Sequence, residues 1–157
     1  LGASWKASPK LRIEFVAEWS DWSVNDLQVI THDLTLPPNS PLQSPMEQDR
    51  SWDDSWVYML GAEYDLNEKW TLRGGYGFNE TPVPKSTATP YLPAGDVHAL
   101  SFGAGYQVNK NLSIDAAVIL AYGEERRLSS NAAKDKDYAG DYEFMSANYS
   151  LGVRYRF

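Results

Sequence analysis

The sequence predicts an all-β chain: antiparallel transmembrane β-barrel strands, about seven of them. Three observations carry the prediction. Side chains alternate apolar and polar along almost every segment, tight turns alternate with long polar loops, and aromatic rings gather near segment ends. A helical membrane protein is excluded, because no stretch approaches the roughly 20 consecutive apolar residues that a spanning helix needs.

Taken in order, the opening residues set Leu1, Ala3 and Trp5 against Gly2, Ser4 and Lys6. The next segment sets Leu11, Ile13, Phe15, Ala17 and Trp19 against Arg12, Glu14 and Glu18. It reads as a longer strand whose apolar parity changes near Trp22 and Val24 and again before Leu27 and Val29, which predicts one or two bulges. Trp56, Tyr58, Leu60, Ala62, Tyr64 and Leu66 oppose a mixed face with Glu63 and Asp65. Trp70, Leu72, Tyr76 and Phe78 oppose Thr71, Arg73, Gly75 and Gly77. Leu100, Phe102, Ala104 and Tyr106 oppose Ser101, Gly103, Gly105 and Gln107. Leu112, Ile114, Val118, Leu120 and Tyr122 oppose Ser113, Asp115, Ala117 and Ala121. The closing segment puts Met145, Ala147, Tyr149, Leu151, Val153, Tyr155 and Phe157 on one face and Ser146, Asn148, Ser150, Gly152, Arg154 and Arg156 on the other. Soluble antiparallel sheets alternate as well. Here the polar faces hold Gly, Ser, Asn and both signs of charge, and the apolar faces end in rings, which predicts a wet bore inside and lipid outside. Trp5, Trp70, Tyr155 and Phe157 are expected at one membrane interface and Trp19, Trp22 and Trp56 at the other.

Ser8-Pro9-Lys10, Asn67-Glu68-Lys69 and Asn109-Lys110-Asn111 carry turn chemistry. Long polar loops are expected near 31–51, 80–95 and 126–140. Barrels of this kind have short periplasmic turns and long extracellular loops, which places Phe157 at the periplasmic end. An odd strand count does not close an antiparallel barrel, so residues 1–157 read as one C-terminal part of a larger one. The formal net charge of -7 argues against nucleic acid as a partner. The absence of cysteine removes disulfides and thiolate metal sites. With no basic-then-apolar opening to serve as a targeting segment, the sequence reads as a mature product or a cut piece.

The run Trp70-Thr71-Leu72-Arg73-Gly74-Gly75-Tyr76-Gly77-Phe78-Asn79-Glu80-Thr81-Pro82-Val83-Pro84 resembles the C-terminal half of the FadL/TodX family. So do Trp19-Ser20-Asp21-Trp22-Ser23, and Pro90-Tyr91-Leu92-Pro93 followed by Leu100-Ser101-Phe102-Gly103. The resemblance covers essentially the whole chain. It implies an outer-membrane transporter of long-chain fatty acids and other hydrophobic compounds, with a barrel of roughly fourteen strands of which this chain is the second half. It also implies passive uptake: capture outside, entry into the bore, and sideways exit into the membrane. The family's plug, its Asn-Pro-Ala signature and its kinked early strand would lie upstream, so the remaining N-terminal half is an expected partner. Lipopolysaccharide, and the assembly machinery that reads the terminal Phe157, are expected partners as well. Where the family commonly has an acid and then an Arg, this chain holds Ala94 and Val97.

Candidate functional residues are the bore-facing charges Arg73, Glu63, Glu18 and Arg154, joined by Arg12, Glu14, Asp115 and Arg156. Arg73 is placed to meet a substrate carboxylate or a plug residue. For each charge by itself a cross-strand network that stiffens the wall is the favoured reading. Arg50, in the loop before Trp52, is a weaker carboxylate contact. Asp49, Asp53 and Asp54, and Asp135 with Asp137, lack calcium-loop spacing and read as solvated loop faces, with divalent-bridged lipopolysaccharide contact as the alternative. Glu124-Glu125-Arg126-Arg127 reads as a solvated strand end. No catalytic residue, metal or cofactor is expected. The competing readings are a lipid-modifying barrel enzyme and a non-transporting adhesin or structural barrel. The first would have to use His32 or the rim residue His98, and Ser101 lies on the opposite parity from His98.

Overall fold

A computed structural model of the chain describes residues 1–37, 40, 44–89, 95–128 and 139–157. The strands are β1 (Gly2–Lys6), β2 (Leu11–Ser20), β3 (Leu27–Ile30), β4 (Met46–Asp49), β5 (Ser55–Asp65), β6 (Trp70–Asn79), β7 (Val97–Gln107), β8 (Leu112–Leu128) and β9 (Gly140–Tyr155). Seven of them form one sheet in the order β1-β2-β5-β6-β7-β8-β9, each antiparallel to its neighbours. The chain thus meanders across the sheet in sequence order, as short local turns require.

Each tight turn is closed by a side-chain oxygen. Ser8 Oγ accepts from the backbone N–H groups of Lys10 and Leu11 at 3.2 and 3.1 Å. Asn67 Oδ1 does the same for Lys69 and Trp70 at 2.9 and 3.0 Å, and Asn109 Oδ1 for Asn111 and Leu112 at 2.9 and 3.0 Å. Asn and Ser are turn residues because a short polar side chain imitates the backbone acceptor.

The sheet buries almost nothing on its apolar face. Tyr149, Leu151 and Val153 of β9 are 79%, 76% and 68% exposed, which no water-soluble sandwich core would allow. The two faces are what alternation predicts. The convex face holds Phe15, Leu60, Leu72, Phe102, Leu120 and Tyr149. The concave face holds Glu14, Gly61, Gly75, Ser101, Ile119 and Asn148, which follow one another in register from β2 to β9.

Two readings of the sequence need correction here. The second segment does not continue through bulges. β2 stops at Ser20, a turn closed by the Asn25 N–H on Trp22 O (2.9 Å) intervenes, and Leu27–Ile30 is a separate strand. Among the described residues this β3 pairs only with β4, so the apparent parity change is a change of sheet. The region 31–51 accordingly contains one strand of a hairpin. In the region 126–140, β8 runs on to Leu128 and β9 begins at Gly140.

At the long-loop end a small core closes around Val83, Ala88 and Leu128, with Trp52 and Tyr142 packed against it. The Asp53 N–H donates to Pro82 O at 2.8 Å, the Thr87 hydroxyl to Arg50 O at 2.6 Å, and the Thr81 N–H to Asp96 Oδ1 at 2.9 Å. These bonds tie the 50–55 and 80–88 segments into one cap over the strand ends.

Candidate functional site: the concave face

The concave face has two zones. Nearest the tight turns lies a ladder of charge. Glu63 receives a hydrogen bond from Arg12 Nη2 at 2.8 Å and another from Arg73 Nε at 2.7 Å. Arg73 Nη1 then reaches Asp115 Oδ1 at 2.9 Å, and Arg12 Nε lies 3.5 Å from Glu14. The first three positions are consecutive in register, Arg12↔Glu63↔Arg73, so alternation and pairing alone bring them together. Asp115 is two strands from Arg73, and the guanidinium crosses β7 above Gly105. A Cβ there would stand 2.7 Å from Asp115 Oδ1 and 3.2 Å from Arg73 Nη1. The side chains are 27–56% exposed, so each pair contributes about 0–1 kcal/mol. Their collective effect is to fix four strands against one another.

Toward the long loops the face changes. Val16, Met59, Gly77, Ala99, Ala121 and Ser146 succeed one another in register, with no charge among them. A concavity of about 870 Å³ runs over both zones, from Arg12, Glu63, Arg73 and Asp115 at one end to Met59 and Ile119 at the other. Small residues keep it open. At Gly75 an added Cβ would come within 2.9 Å of Ser101 Oγ and 3.1 Å of Leu60 O, whereas at Gly77 it would meet Met59, Ala99 and Tyr58 O no nearer than 3.8 Å.

The other candidate residues lie apart from this ladder. Glu18 is exposed on β2 opposite Val57, and Arg154 is exposed on β9 opposite Ser113; no ion pair joins either of them among the described residues. Arg50 belongs to the β3–β4 hairpin, where it donates to Gln28 and stacks over the Trp52 ring at 5.8 Å. Of the acidic loop residues, Asp49 accepts from the Ser51 hydroxyl at 2.5 Å and Asp54 from the Ser23 N–H at 3.1 Å. Asp135 and Asp137, the Pro90–Pro93 segment and Ala94 lie outside the described residues.

The aromatic candidates occupy both ends. Trp70 and Tyr106 touch across strands at 4.7 Å, Tyr155 and Phe157 meet edge-on at 5.1 Å, and Trp5 faces Ile13. At the long-loop end Trp19 pairs in register with Trp56, and Trp56 stacks on Tyr58 at 5.8 Å. Trp22 packs edge-on against Trp52 at 5.3 Å. A transverse row Tyr58↔Phe78↔His98↔Tyr122↔Met145 crosses the convex face at that end. Along β6, Trp70 and Phe78 stand about 27 Å apart at ~3.4 Å per residue, close to the roughly 25 Å apolar band of outer-membrane barrels.

Arg126 was missed by sequence reasoning. It is 5% exposed and donates to Val83 O, so it is no solvated strand end. The cause is a bulge. Between Gly123 and Arg126 the register with β9 slips by one residue, so Arg126 faces Tyr142 and turns inward with Leu128, while Arg127 turns outward and binds Asp141 at 2.6 and 3.1 Å. The signal available was the charged run itself, too long and too mixed for a strand that keeps one parity.

Residues 1–157 match the family model described as outer membrane protein transport protein (OMPP1/FadL/TodX). The chain is 29% identical over 100 residues to the long-chain fatty acid transport protein of Salmonella typhi, covering 64% of this chain and 21% of that protein. It is 31% identical over 106 residues to alkane uptake protein A of Marinobacter nauticus, covering 65% of this chain and 23% of that protein. The crystal structure of a Pseudomonas aeruginosa FadL homologue superimposes with a TM-score of 0.75 at 24% identity, over 98% of this chain and 34% of that one. The chain spans about a fifth of the length of the first of these relatives.

Proposed function

Because the chain belongs to the OMPP1/FadL/TodX family of outer membrane transport proteins, we propose that it builds wall and bore of a β-barrel for passive uptake of long-chain fatty acids or other hydrophobic small molecules. The supporting observation is the two-zone concave face. Small and apolar side chains around Met59, Gly77, Ala99 and Ile119 offer a hydrophobic solute a surface out of water, and the Arg12–Glu63–Arg73–Asp115 ladder marks where that surface ends. The tight turns face the periplasm and the long loops face outward, so a solute enters beside the Trp52 cap, passes the small and apolar zone, and meets the charge ladder in the inner third. An apolar solute is turned aside there, which agrees with sideways exit through wall contributed by the upstream half. The ladder acts as structure: Glu63 is held by two arginines and Arg73 by two carboxylates.

The relatives' printed names, a long-chain fatty acid transport protein and an alkane uptake protein, support substrates with extended hydrocarbon chains. Transport rather than catalysis fits His98 as well. It sits on the convex face with one ring nitrogen on the Tyr76 hydroxyl at 2.6 Å and the other 3.2 Å from Glu124. The test is uptake of radiolabelled oleate and hexadecane by cells lacking the gene, with and without the full-length protein restored. Restored uptake is the expected result, and equal uptake in both strains refutes the reading.

A further inference from the structure

The end of the sheet that carries the tight turns holds a row of cations with no carboxylate attached. Lys10, Lys69 and Lys110 occupy the three turns, one apiece, and Arg156 follows the last residue of β9. All four are exposed, and none joins an ion pair among the described residues. Backbone hydrogen bonds set the turns side by side. The Asp65 N–H donates to Lys10 O, the Gln107 N–H to Lys69 O and the Arg156 N–H to Asn111 O, each at 2.8 Å. The cations therefore follow one another along a single rim. Lys6 and Arg154, at neighbouring strand ends, add two more exposed charges outside any ion pair.

Acid is sparse on this rim. Glu68 is the one carboxylate inside the three turns, and Asp65 accepts from the Thr71 hydroxyl at 2.9 Å. The balance stays positive even with a terminal carboxylate at Phe157 counted. At the long-loop end acid predominates, with Asp21, Asp53, Asp54, Glu80 and Asp96 among it. Charge spread for solubility alone would mix the signs at both ends. Rings then fix the depth. Trp5 precedes Lys6, Trp70 follows Lys69, and Arg156 lies between Tyr155 and Phe157. Such rings settle at head-group level, so the cations beside them stand at the depth of lipid phosphates.

We propose that this rim binds net-anionic glycerophospholipids of the inner leaflet, their phosphodiesters meeting Lys10, Lys69, Lys110 and Arg156. The inference rests on the orientation proposed above, which puts the tight turns on the periplasmic side. An ammonium or guanidinium outside any ion pair has charge-assisted hydrogen bonds to give, and each one near an anionic surface adds to the attraction. A zwitterionic head group brings its own ammonium, which the surplus of positive charge repels.

The experiment holds the full-length protein in mild detergent, lets phosphatidylglycerol and phosphatidylethanolamine of matched chains compete for it, and counts retained lipids by native mass spectrometry. The parent is expected to prefer phosphatidylglycerol about tenfold. Lys10→Gln, Lys69→Gln, Lys110→Gln and Arg156→Gln combined should abolish the preference. The three lysine-to-glutamine changes alone should remove most of it, and they serve where the quadruple variant does not assemble. Lys10→Arg, Lys69→Arg and Lys110→Arg combined should keep it, as should Lys85→Gln at the opposite end. The preference should also fade between about 0.1 and 1 M salt, where exposed charges are screened. Equal retention of the two lipids by the parent overturns the proposal. So does a preference that survives in the glutamine variants, or one lost equally in Lys85→Gln. Lipid retention is read without transport, so a failed uptake test and a failed lipid test are told apart.

Discussion

Arg73 on β6 binds Asp115 on β8 at 2.9 Å across the full width of the strand between them, and the room it uses is the missing side chain of Gly105. A wall strand therefore has glycine where a neighbour's charge must pass over it. Gly105→Val is expected to displace the guanidinium and cancel the Arg73–Asp115 coupling. In a double-mutant cycle with Arg73→Met and Asp115→Asn, thermal unfolding of the full-length protein should give a coupling of about 1 kcal/mol in the parent and none in the Gly105→Val background. Persistent coupling would show that Arg73 has another route.

Gly77 offers a cleaner test of the bore. An added side chain there meets Met59 and Ala99 only at ordinary contact distance, so Gly77→Phe should fold and yet narrow the concavity. Uptake is expected to fall roughly tenfold, equivalent to ~1.4 kcal/mol on the passage barrier. Unfolding temperature should change little. Normal uptake by a correctly folded Gly77→Phe protein would move the path elsewhere.

The two faces of β9 make opposite predictions at adjacent residues. Tyr149→Arg puts a charge midway between the aromatic rows on the lipid side and should cost about 2–4 kcal/mol. Asn148→Arg points into the bore and should cost within ~0.5 kcal/mol. Equilibrium refolding into detergent or lipid measures both, and equal costs would refute the assignment of faces.

Arg126 supports the cap from beneath. Arg126→Ala removes a buried donor and leaves Val83 O without it, at an expected cost of about 1–3 kcal/mol to the local structure. Hydrogen exchange should show faster exchange at residues 81–88 with the sheet strands unchanged. Unaltered protection there would mean that the apolar contacts of Leu128 and Val83 suffice.

The sheet was legible in the sequence because most of its strands keep one parity from turn to turn; Leu112 to Tyr122 of β8 is the clearest case. Legibility failed where parity changed for a reason beyond the segment. Leu27 and Val29 alternate as convincingly as Phe15 and Ala17, yet they belong to another sheet, and only the polar Asn25-Asp26 break distinguishes them. The extra residue in β8 was equally silent, because a bulge is defined by what lies on the neighbouring strand. For the ladder, alternation put Arg12, Glu63 and Arg73 on one face, and register made them neighbours. The Asp115 contact depends on a glycine two residues past Arg73's partner Gly103, which no pattern of charge reveals.

The closures at Ser8, Asn67 and Asn109 have a consequence well beyond the few residues they hold. A hairpin that slipped by a single position would turn Phe102 or Val118 toward water and offer Ser101 or Ala117 to fatty acyl tails. Three small oxygen atoms, each gripping two amide hydrogens, thereby decide for the strands on either side which flank stays dry.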